Sequence, residues 1–196
     1  DSSTSRGLGD VYKRQVTGIS TGLTQGFSIQ LSQYYGAKDF ENLRKSLAHS
    51  YRLTAFIAAG VLILSQLFAS LVLTGLHTPS NIIGMSLLYL RIIFCGIPAT
   101  AAYNMFASAL RAMGNSKTPL TAMIIASVLN VSLDILFVAG FGWGVAGAAI
   151  ATVIAQSFSA VYCFLILRRI DIVHLTRADF MPASGMNARL MKLGIP

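Results

Sequence analysis

Two polar side chains lie one helical turn apart in an otherwise apolar stretch. Asn130 and Asp134 fall within residues 120–138, which are almost wholly apolar and are predicted to form a membrane-spanning helix. Residues four apart on a helix project from the same face. A carboxylate at the centre of a bilayer costs about 2.5–3.5 kcal/mol, so it normally faces a protein interior or a wet cavity. The pair therefore predicts a site for a small cation or a proton.

The next apolar stretch, residues 145–167, returns after a short Gly-rich turn and predicts an antiparallel hairpin. At about 1.5 Å per residue, Asp134 and Ala148 lie roughly 6–8 Å below the turn. By the same count, Asn130 and Thr152 lie roughly 12–14 Å below it. Small residues at the start of the second helix permit close backbone contact. We predict that oxygen donors for one cation come from four positions: Asn130, Asp134, the carbonyl of Ala148, and Thr152.

Other uses of these residue types remain open. Asn130 and Thr152 can serve only to hold membrane helices together, whereas burying the Asp134 charge without a use is costly. The three histidines have no metal-ligand spacing, and both cysteines fall within apolar spans. Beyond sodium at the cation site we expect no metal, and we expect no cofactor and no catalytic residue.

The composition sets the protein class. The 196 residues are 54% hydrophobic and only 11% charged, with a mean hydropathy of +0.64. A soluble domain carries about 25% charged residues. The sequence therefore predicts an all-α integral membrane protein, a polytopic helical bundle. The net charge of +8 does not indicate nucleic-acid binding, because the basic residues lie between apolar spans, as membrane topology requires.

Five membrane helices are predicted: residues 16–35, 53–73, 82–110, 120–138 and 145–167. A polar connection is expected between the first two, ending at Arg52. Pro98 predicts a kink in the third span, because its ring removes a backbone hydrogen bond. Three regions follow: a non-native polar prefix (1–15), the transmembrane bundle (16–167), and a cytoplasmic connection that runs into the start of another helix (168–196).

The basic residues also predict the orientation. After the prefix, eleven of twelve Lys and Arg residues lie in or beside the first, third and fifth connections. Such residues concentrate on the cytoplasmic side. These connections are therefore predicted to be cytoplasmic, so the first helix runs inward and a further helix is expected upstream. We expect a multi-pass protein of a bacterial plasma membrane.

Several motifs along the chain carry a family resemblance. They are Gln33-Tyr-Tyr-Gly-Ala-Lys38, Pro98, Arg111-Ala-Met-Gly-Asn-Ser-Lys-Thr-Pro119, Asn130-Val-Ser-Leu-Asp134 and Gly144-Val-Ala-Gly-Ala-Ala-Ile-Ala-Thr152. In this order they resemble the amino-terminal lobe of a multidrug and toxic compound extrusion (MATE) transporter. The resemblance implies two six-helix lobes, of which this chain supplies helices two to six and the start of helix seven.

The resemblance also implies a function. It assigns sodium or proton binding to Asn130, Asp134, Ala148 and Thr152, and export of organic, often cationic, drugs by cation-coupled antiport. The family's acidic residue in the first helix is not in this sequence. The expected partners are small-molecule substrates, membrane lipid, and the missing first helix and second lobe.

Three alternatives remain. The first is a flippase of lipid-linked oligosaccharides from the same superfamily. Such flippases often use cavity arginines, for which Arg91 is the candidate. The second is a membrane-embedded enzyme, disfavoured because the histidines lie in three different connections. The third is a purely structural helical subunit.

Overall fold

The described residues form a helical bundle. The computed structural model of the chain describes residues 27–75 and 83–173, and within these ranges it contains helices and no strand. The helical residues 27–36 are named α1 here. The later α-helices are α2 (Phe40–Gly75), α3 (Ile83–Cys95), α4 (Ile97–Ala112), α5 (Lys117–Asp134) and α6 (Gly144–Arg168). A π-helix, Ile135–Gly140, continues α5, and a 3-10 turn, Asp171–Val173, follows α6.

Four stretches of the described chain are long and apolar enough to cross a membrane. They are Phe40–Leu71, Ile83–Ala112, Lys117–Gly140 and Gly144–Arg168. They correspond to the predicted spans that begin at residues 53, 82, 120 and 145. The predicted first span lies mostly outside the described residues, as do the prefix and residues 174–196. The prediction of an all-α polytopic membrane bundle is confirmed.

Helix α2 begins thirteen residues earlier than the start of the predicted span, at Phe40 instead of residue 53. Asp39 caps it: the backbone N–H of Asn42 donates to Asp39 Oδ1 at 3.2 Å, and the Asn42 side-chain amide donates to Asp39 Oδ2 at 2.7 Å. These donors, the side-chain amide first, hold the pKa of Asp39 below its usual value. The segment expected to be a polar connection is therefore mostly the first turns of a helix.

The early turns of α2 are amphipathic. Leu43 and Leu47 are buried against the bundle. On another face, Lys45 Nζ donates to the more exposed Glu41 carboxylate at 2.6 Å. The whole helix has 36 residues. At about 1.5 Å per residue it is roughly 54 Å long, whereas the hydrocarbon core of a bilayer is about 30 Å thick. These turns therefore extend α2 beyond the core on the predicted cytoplasmic side.

The third predicted span is interrupted at Gly96, between α3 and α4. The Gly96 N–H donates to the Ile93 carbonyl at 2.9 Å. Pro98 is the second residue of α4. The first N–H groups of a helix have no intrahelical acceptor, so the missing N–H of Pro98 costs no hydrogen bond there. A Cβ on Gly96 would lie 3.0 Å from Val153 Cγ2 and 3.1 Å from Gln156 Oε1. The span is thus two helices joined by a turn that packs closely on α6.

Helix α6 is the central element of the bundle and packs against α3, α4 and α5. Small side chains allow this, since most of its buried positions are Gly, Ala or Ser. At the predicted cytoplasmic end an apolar core joins all the α-helices except α3. Its buried residues are Leu31, Leu43, Leu47, Met105, Ala109, Leu110, Ala122, Cys163, Leu167 and Val173.

Candidate functional site

The α5–α6 hairpin brings three of the four predicted site residues into one hydrogen-bonded chain. Asn130 Nδ2 donates to Thr152 Oγ1 at 3.3 Å, and Thr152 Oγ1 donates to the Ala148 carbonyl at 3.0 Å. All three residues are half-buried. We refer to Asn130, Thr152 and Ala148 as the polar triad. Their convergence follows from the antiparallel hairpin and from one-turn spacing on α6.

Asp134, the fourth predicted residue, is the last residue of α5 and lies one turn beyond Asn130. The described residues offer its buried Oδ1 no hydrogen-bond partner, and the structure does not bond it to the triad. A carboxylate oxygen that is buried without a partner is unfavourable. A proton or a bound cation removes that penalty. The role of Asp134 as a cation ligand stays a prediction.

A π-helix starts immediately after Asp134, and sequence reasoning missed it. In this segment the Phe141 N–H donates to the Leu136 carbonyl, five residues earlier, at 2.9 Å. Single turns of π-helix often occur at functional sites. A π-helix has more residues per turn than an α-helix, so different side chains share a face beyond Asp134. Depths below the turn that are calculated from α-helical geometry are therefore inaccurate in this segment. The sequence carries no evident signal for this change.

A cavity of about 320 Å³ adjoins the triad between α4, α5 and α6. None of its lining residues, all of which are described, is Asp, Glu, Lys or Arg. Eight of its eleven lining residues carry a polar side-chain group: Thr100, Tyr103 and Asn104 of α4, Ser127 and Asn130 of α5, and Thr152, Gln156 and Ser159 of α6. The cavity thus extends the triad into a larger neutral polar site.

Two interhelical hydrogen bonds fix the wall that α4 contributes. Thr100 Oγ1 donates to Gln156 Oε1 at 2.7 Å, and the Tyr103 hydroxyl donates to the Pro119 carbonyl at 3.2 Å. Sequence reasoning missed Thr100 and Gln156. A signal existed, because Gln156 is an amide within an apolar span, four residues after Thr152 and so on the same face.

Three aromatic side chains contact one another at the outer end of the hairpin. The ring centroids of Phe137 are 6.0 Å from Phe141 and 5.1 Å from Trp143. The Phe141 and Trp143 rings are 5.4 Å apart. A Cβ on Gly147 would lie 3.0 Å from Phe137 Cβ, so this end of the hairpin is tightly packed. We name Phe137, Phe141 and Trp143 the aromatic cap.

A site for a transition metal would need different residues. Across 27–75 and 83–173, no group of three or more His, Cys, Asp or Glu side chains is placed to hold a metal ion. The donors near Asp134 are instead amide, hydroxyl, carbonyl and carboxylate oxygens, which suit hard cations.

The chain also matches a known family. The MatE family model matches residues 15–136, which include Asn130 and Asp134. The chain belongs to the MatE family. The resemblance predicted from the motifs is confirmed.

Similar proteins cover most of this chain. "Probable multidrug resistance protein YpnP" of Bacillus subtilis (strain 168) is 33% identical over 175 residues, which are 89% of this chain and 39% of that protein. "Multidrug export protein MepA" of Staphylococcus saprophyticus is 25% identical over 174 residues, or 87% of this chain and 38% of that one. The solved structure "Crystal structure of MATE in the bent conformation" is 23% identical with a TM-score of 0.87, covering 97% of this chain and 43% of that one.

The chain thus spans about two fifths of the length of the curated relatives it matches. The likeness to the solved structure shows the fold. With the four spans, family membership makes it a multi-pass protein of the plasma membrane, as predicted.

Proposed function

We propose that the chain is the cation-binding lobe of a secondary transporter that exports drugs and other organic compounds in exchange for sodium ions or protons. The observation that carries the proposal is the buried Oδ1 of Asp134, for which the described residues provide no partner, one turn from the polar triad. The printed names of the relatives, multidrug resistance and multidrug export, support the substrate class.

The hydrogen bonds of the triad favour this chemistry. The Thr152 hydroxyl gives its hydrogen to Ala148, so its oxygen accepts from Asn130. Asn130 must then present its NH₂ group to Thr152, which leaves its amide oxygen free to accept. Asn130 Oδ1, Thr152 Oγ1, the Ala148 carbonyl and the Asp134 carboxylate are all hard oxygen donors. Such a set suits Na⁺, or a proton held on the carboxylate.

Coupling requires that the cation and the drug have different affinities for the outward- and inward-open states. In this proposal the cation stabilises one arrangement of the lobe by satisfying Asp134. The drug, an organic and often cationic molecule, favours the other arrangement. A first helix and a second lobe would complete the path, in keeping with the share of its relatives that the chain covers.

Sodium titration of the reconstituted protein at two pH values tests the cation site. We expect saturable binding that weakens at acidic pH, because protons compete for Asp134, and that is lost in Asp134→Asn. Ser132→Ala is the matched control, since Ser132 is exposed on the same helix and its hydroxyl donates to Val128 of that helix. Binding that survives Asp134→Asn would contradict the assignment.

Transport tests the second half of the proposal. In cells that express the complete transporter, we expect lower accumulation of a cationic dye, and we expect Asp134→Asn to abolish that effect at equal expression. The flippase alternative predicts no effect on the dye. It relies on cavity arginines, and the residues that line this cavity include none. Efflux that remains coupled in Asp134→Asn would refute the mechanism.

A further inference from the structure

One positive charge at membrane depth has no partner among the described residues. Arg91 lies in α3, within the span Ile83–Ala112, and its side chain is exposed. No described carboxylate lies within ion-pairing distance of its guanidinium. It also lies away from the polar cavity, whose described lining residues include no arginine. Because a charge within a bilayer is costly and normally has a partner, Arg91 calls for an anion from outside the described residues.

The depth of Arg91 follows from the length of its span. The span has 30 residues, so it is roughly 45 Å long, whereas the hydrocarbon core is about 30 Å thick. When the span is centred in the bilayer, roughly 7 Å of it projects on each side. Arg91 follows Ile83 by eight residues, which places its Cα roughly 5 Å below the predicted outer boundary of the hydrocarbon.

Helix geometry directs this side chain towards the same boundary. The Cα–Cβ bonds of an α-helix tilt towards its N-terminus, and α3 begins on the predicted outer side. An arginine lays its apolar stem along the protein while its charged group reaches the interface. The guanidinium of Arg91 therefore reaches the level of the outer lipid phosphates.

Helix α2 supplies a second polar group at this level. Gln66 Nε2 donates to the Arg91 carbonyl at 3.0 Å and to Cys95 Sγ at 3.4 Å, which fixes α2 against α3. Ser70 is one turn further out on the same face of α2 and is exposed. Its hydroxyl has no hydrogen-bond partner among the described residues. Arg91 and Ser70 thus place a cation and a free hydroxyl donor on neighbouring helices.

On the inner side of these groups the surface of α2 is apolar. Ile63 and Leu67 lie seven and three residues before Ser70, so they share its face, and they are 59% and 69% exposed. The acyl chains of a phospholipid run from its phosphate towards the bilayer centre, so they would lie along these side chains. A soluble anion would gain nothing from such a surface. One cation at the boundary with an apolar surface beneath it fits an amphiphile with an anionic head.

We propose that Arg91 and Ser70 form a binding site for the phosphate group of an outer-leaflet phospholipid, whose acyl chains pack on Ile63 and Leu67. The guanidinium donates two parallel hydrogen bonds to two phosphate oxygens, and the Ser70 hydroxyl donates a third. The bound lipid supplies the negative charge that Arg91 lacks and bridges α2 and α3. The site does not depend on the proposed cation site, which lies on α5 and α6.

Fluorescence quenching in the complete transporter, purified in detergent, tests the site. The background carries Cys95→Ser, because Cys95 is exposed, whereas Cys163 is buried. A bimane label is attached to Leu71→Cys, a position that is 67% exposed and next to Ser70. It is titrated with a phosphatidylglycerol that carries a nitroxide on one acyl chain, and we expect saturable quenching.

Substitutions identify the groups that bind the lipid. Arg91→Gln should raise the half-saturating lipid concentration about tenfold, which is the loss of a charge-assisted contact. Arg91→Lys should raise it less, because lysine keeps the charge but not the two parallel hydrogen bonds. Arg169→Gln, the same change at an exposed arginine near the predicted cytoplasmic end, should have no effect. A control label on Val145→Cys of α6, which is 50% exposed, should show quenching that Arg91→Gln does not change.

Competitors identify the part of the lipid that is recognised. Unlabelled dioleoylphosphatidylglycerol should displace the labelled lipid from the site. Dioleoylglycerol, which has the same acyl chains and no phosphate, should not displace it at the same concentration. Inorganic phosphate, which has no acyl chain, should not displace it either.

Each contrary result has its own meaning. Equal lipid affinity of the parent protein and Arg91→Gln would overturn the site. Displacement by dioleoylglycerol would leave only an apolar surface, and displacement by inorganic phosphate would indicate a site for a soluble anion, so either result would overturn the lipid phosphate as ligand. Quenching at Val145→Cys without saturable quenching at Leu71→Cys would show that protein outside this chain covers Arg91. The sodium titration tests the proposed function separately, so none of these results decides it.

Discussion

Gly147→Ala should weaken the proposed cation site without altering any of its proposed ligands. Gly147 is buried near the start of α6, where the hairpin helices meet. A Cβ there would lie 3.0 Å from Phe137 Cβ, 3.1 Å from Trp143 Cβ and 3.2 Å from the Phe137 carbonyl carbon. These three atoms belong to or adjoin the backbone, so no side-chain rotation can move them away.

The size of the effect follows from these contacts. Carbon atoms pack at about 3.5–4.0 Å, so the hairpin must open by roughly 0.5 Å at this level. Overpacking of this kind costs about 1–3 kcal/mol of stability. The bond from Asn130 to Thr152 is already long at 3.3 Å, so half of that displacement would break it. Loss of one net hydrogen bond, about 0.5–1.5 kcal/mol, corresponds to a two- to tenfold loss of cation affinity.

Sodium titration and thermal unfolding of the reconstituted protein measure the two effects. The matched control is Gly60→Ala in the middle of α2, where a Cβ would meet nothing within 4 Å. Gly60→Ala should preserve affinity and keep or raise stability, because alanine favours helix formation by about 1 kcal/mol over glycine. If Gly147→Ala bound sodium as tightly as the parent protein, the close contact would not be what holds the triad together.

Three further predictions follow from the other contacts. Gly96→Ala should destabilise the protein by about 1–3 kcal/mol, because the new methyl meets α6 side chains at 3.0–3.1 Å; an unchanged melting temperature would contradict this. Tyr103→Phe should lower the free energy of unfolding in detergent by about 0.6–1 kcal/mol through loss of its bond to Pro119, while sodium affinity is retained. Asp39→Ala should lower thermal stability at neutral pH, whereas Asp39→Asn, which can still cap a helix, should lower it less. Donors from Asn42 lower the pKa of Asp39 in the folded protein. The stability that Asp39 contributes is therefore present above the unfolded pKa and is lost as pH falls through the folded pKa. The loss of stability caused by Asp39→Ala should accordingly become smaller in acid.

The membrane spans could be predicted because lipid leaves few choices. In lipid, an apolar run of about twenty residues must be helical so that its backbone N–H and C=O groups are hydrogen-bonded. The runs at 120–138 and 145–167 lie within spans of the structure, and those at 53–73 and 82–110 overlap spans over nearly their whole length. The start of α2 was missed because only apolar runs were considered. Phe40, Leu43, Leu47 and Tyr51 recur at helical spacing, and this amphipathic period was the available signal.

The site was only partly predictable. One-turn spacing on each helix of the hairpin was enough to predict that Asn130, Thr152 and Ala148 lie together, because both helices are regular at that level. The break before Pro98 depends on the fit of Gly96 against α6, which is a tertiary contact. The π-helix after Asp134 and the α4 wall of the cavity likewise arise from packing between helices, which no single segment of sequence encodes.

The short turn between α5 and α6 also bears on how the protein enters the membrane. Residues 141–143 join two spans with hydropathies of 2.2 and 2.0, so both emerge from the ribosome in quick succession. Inserted alone, α5 would bear the cost of placing Asp134 in lipid, about 2.5–3.5 kcal/mol at the centre of a helix. Inserted as a pair, the helices offset this cost with the apolar surface of α6. The order of the helices along the chain therefore helps to deliver a charged residue into the bilayer during synthesis.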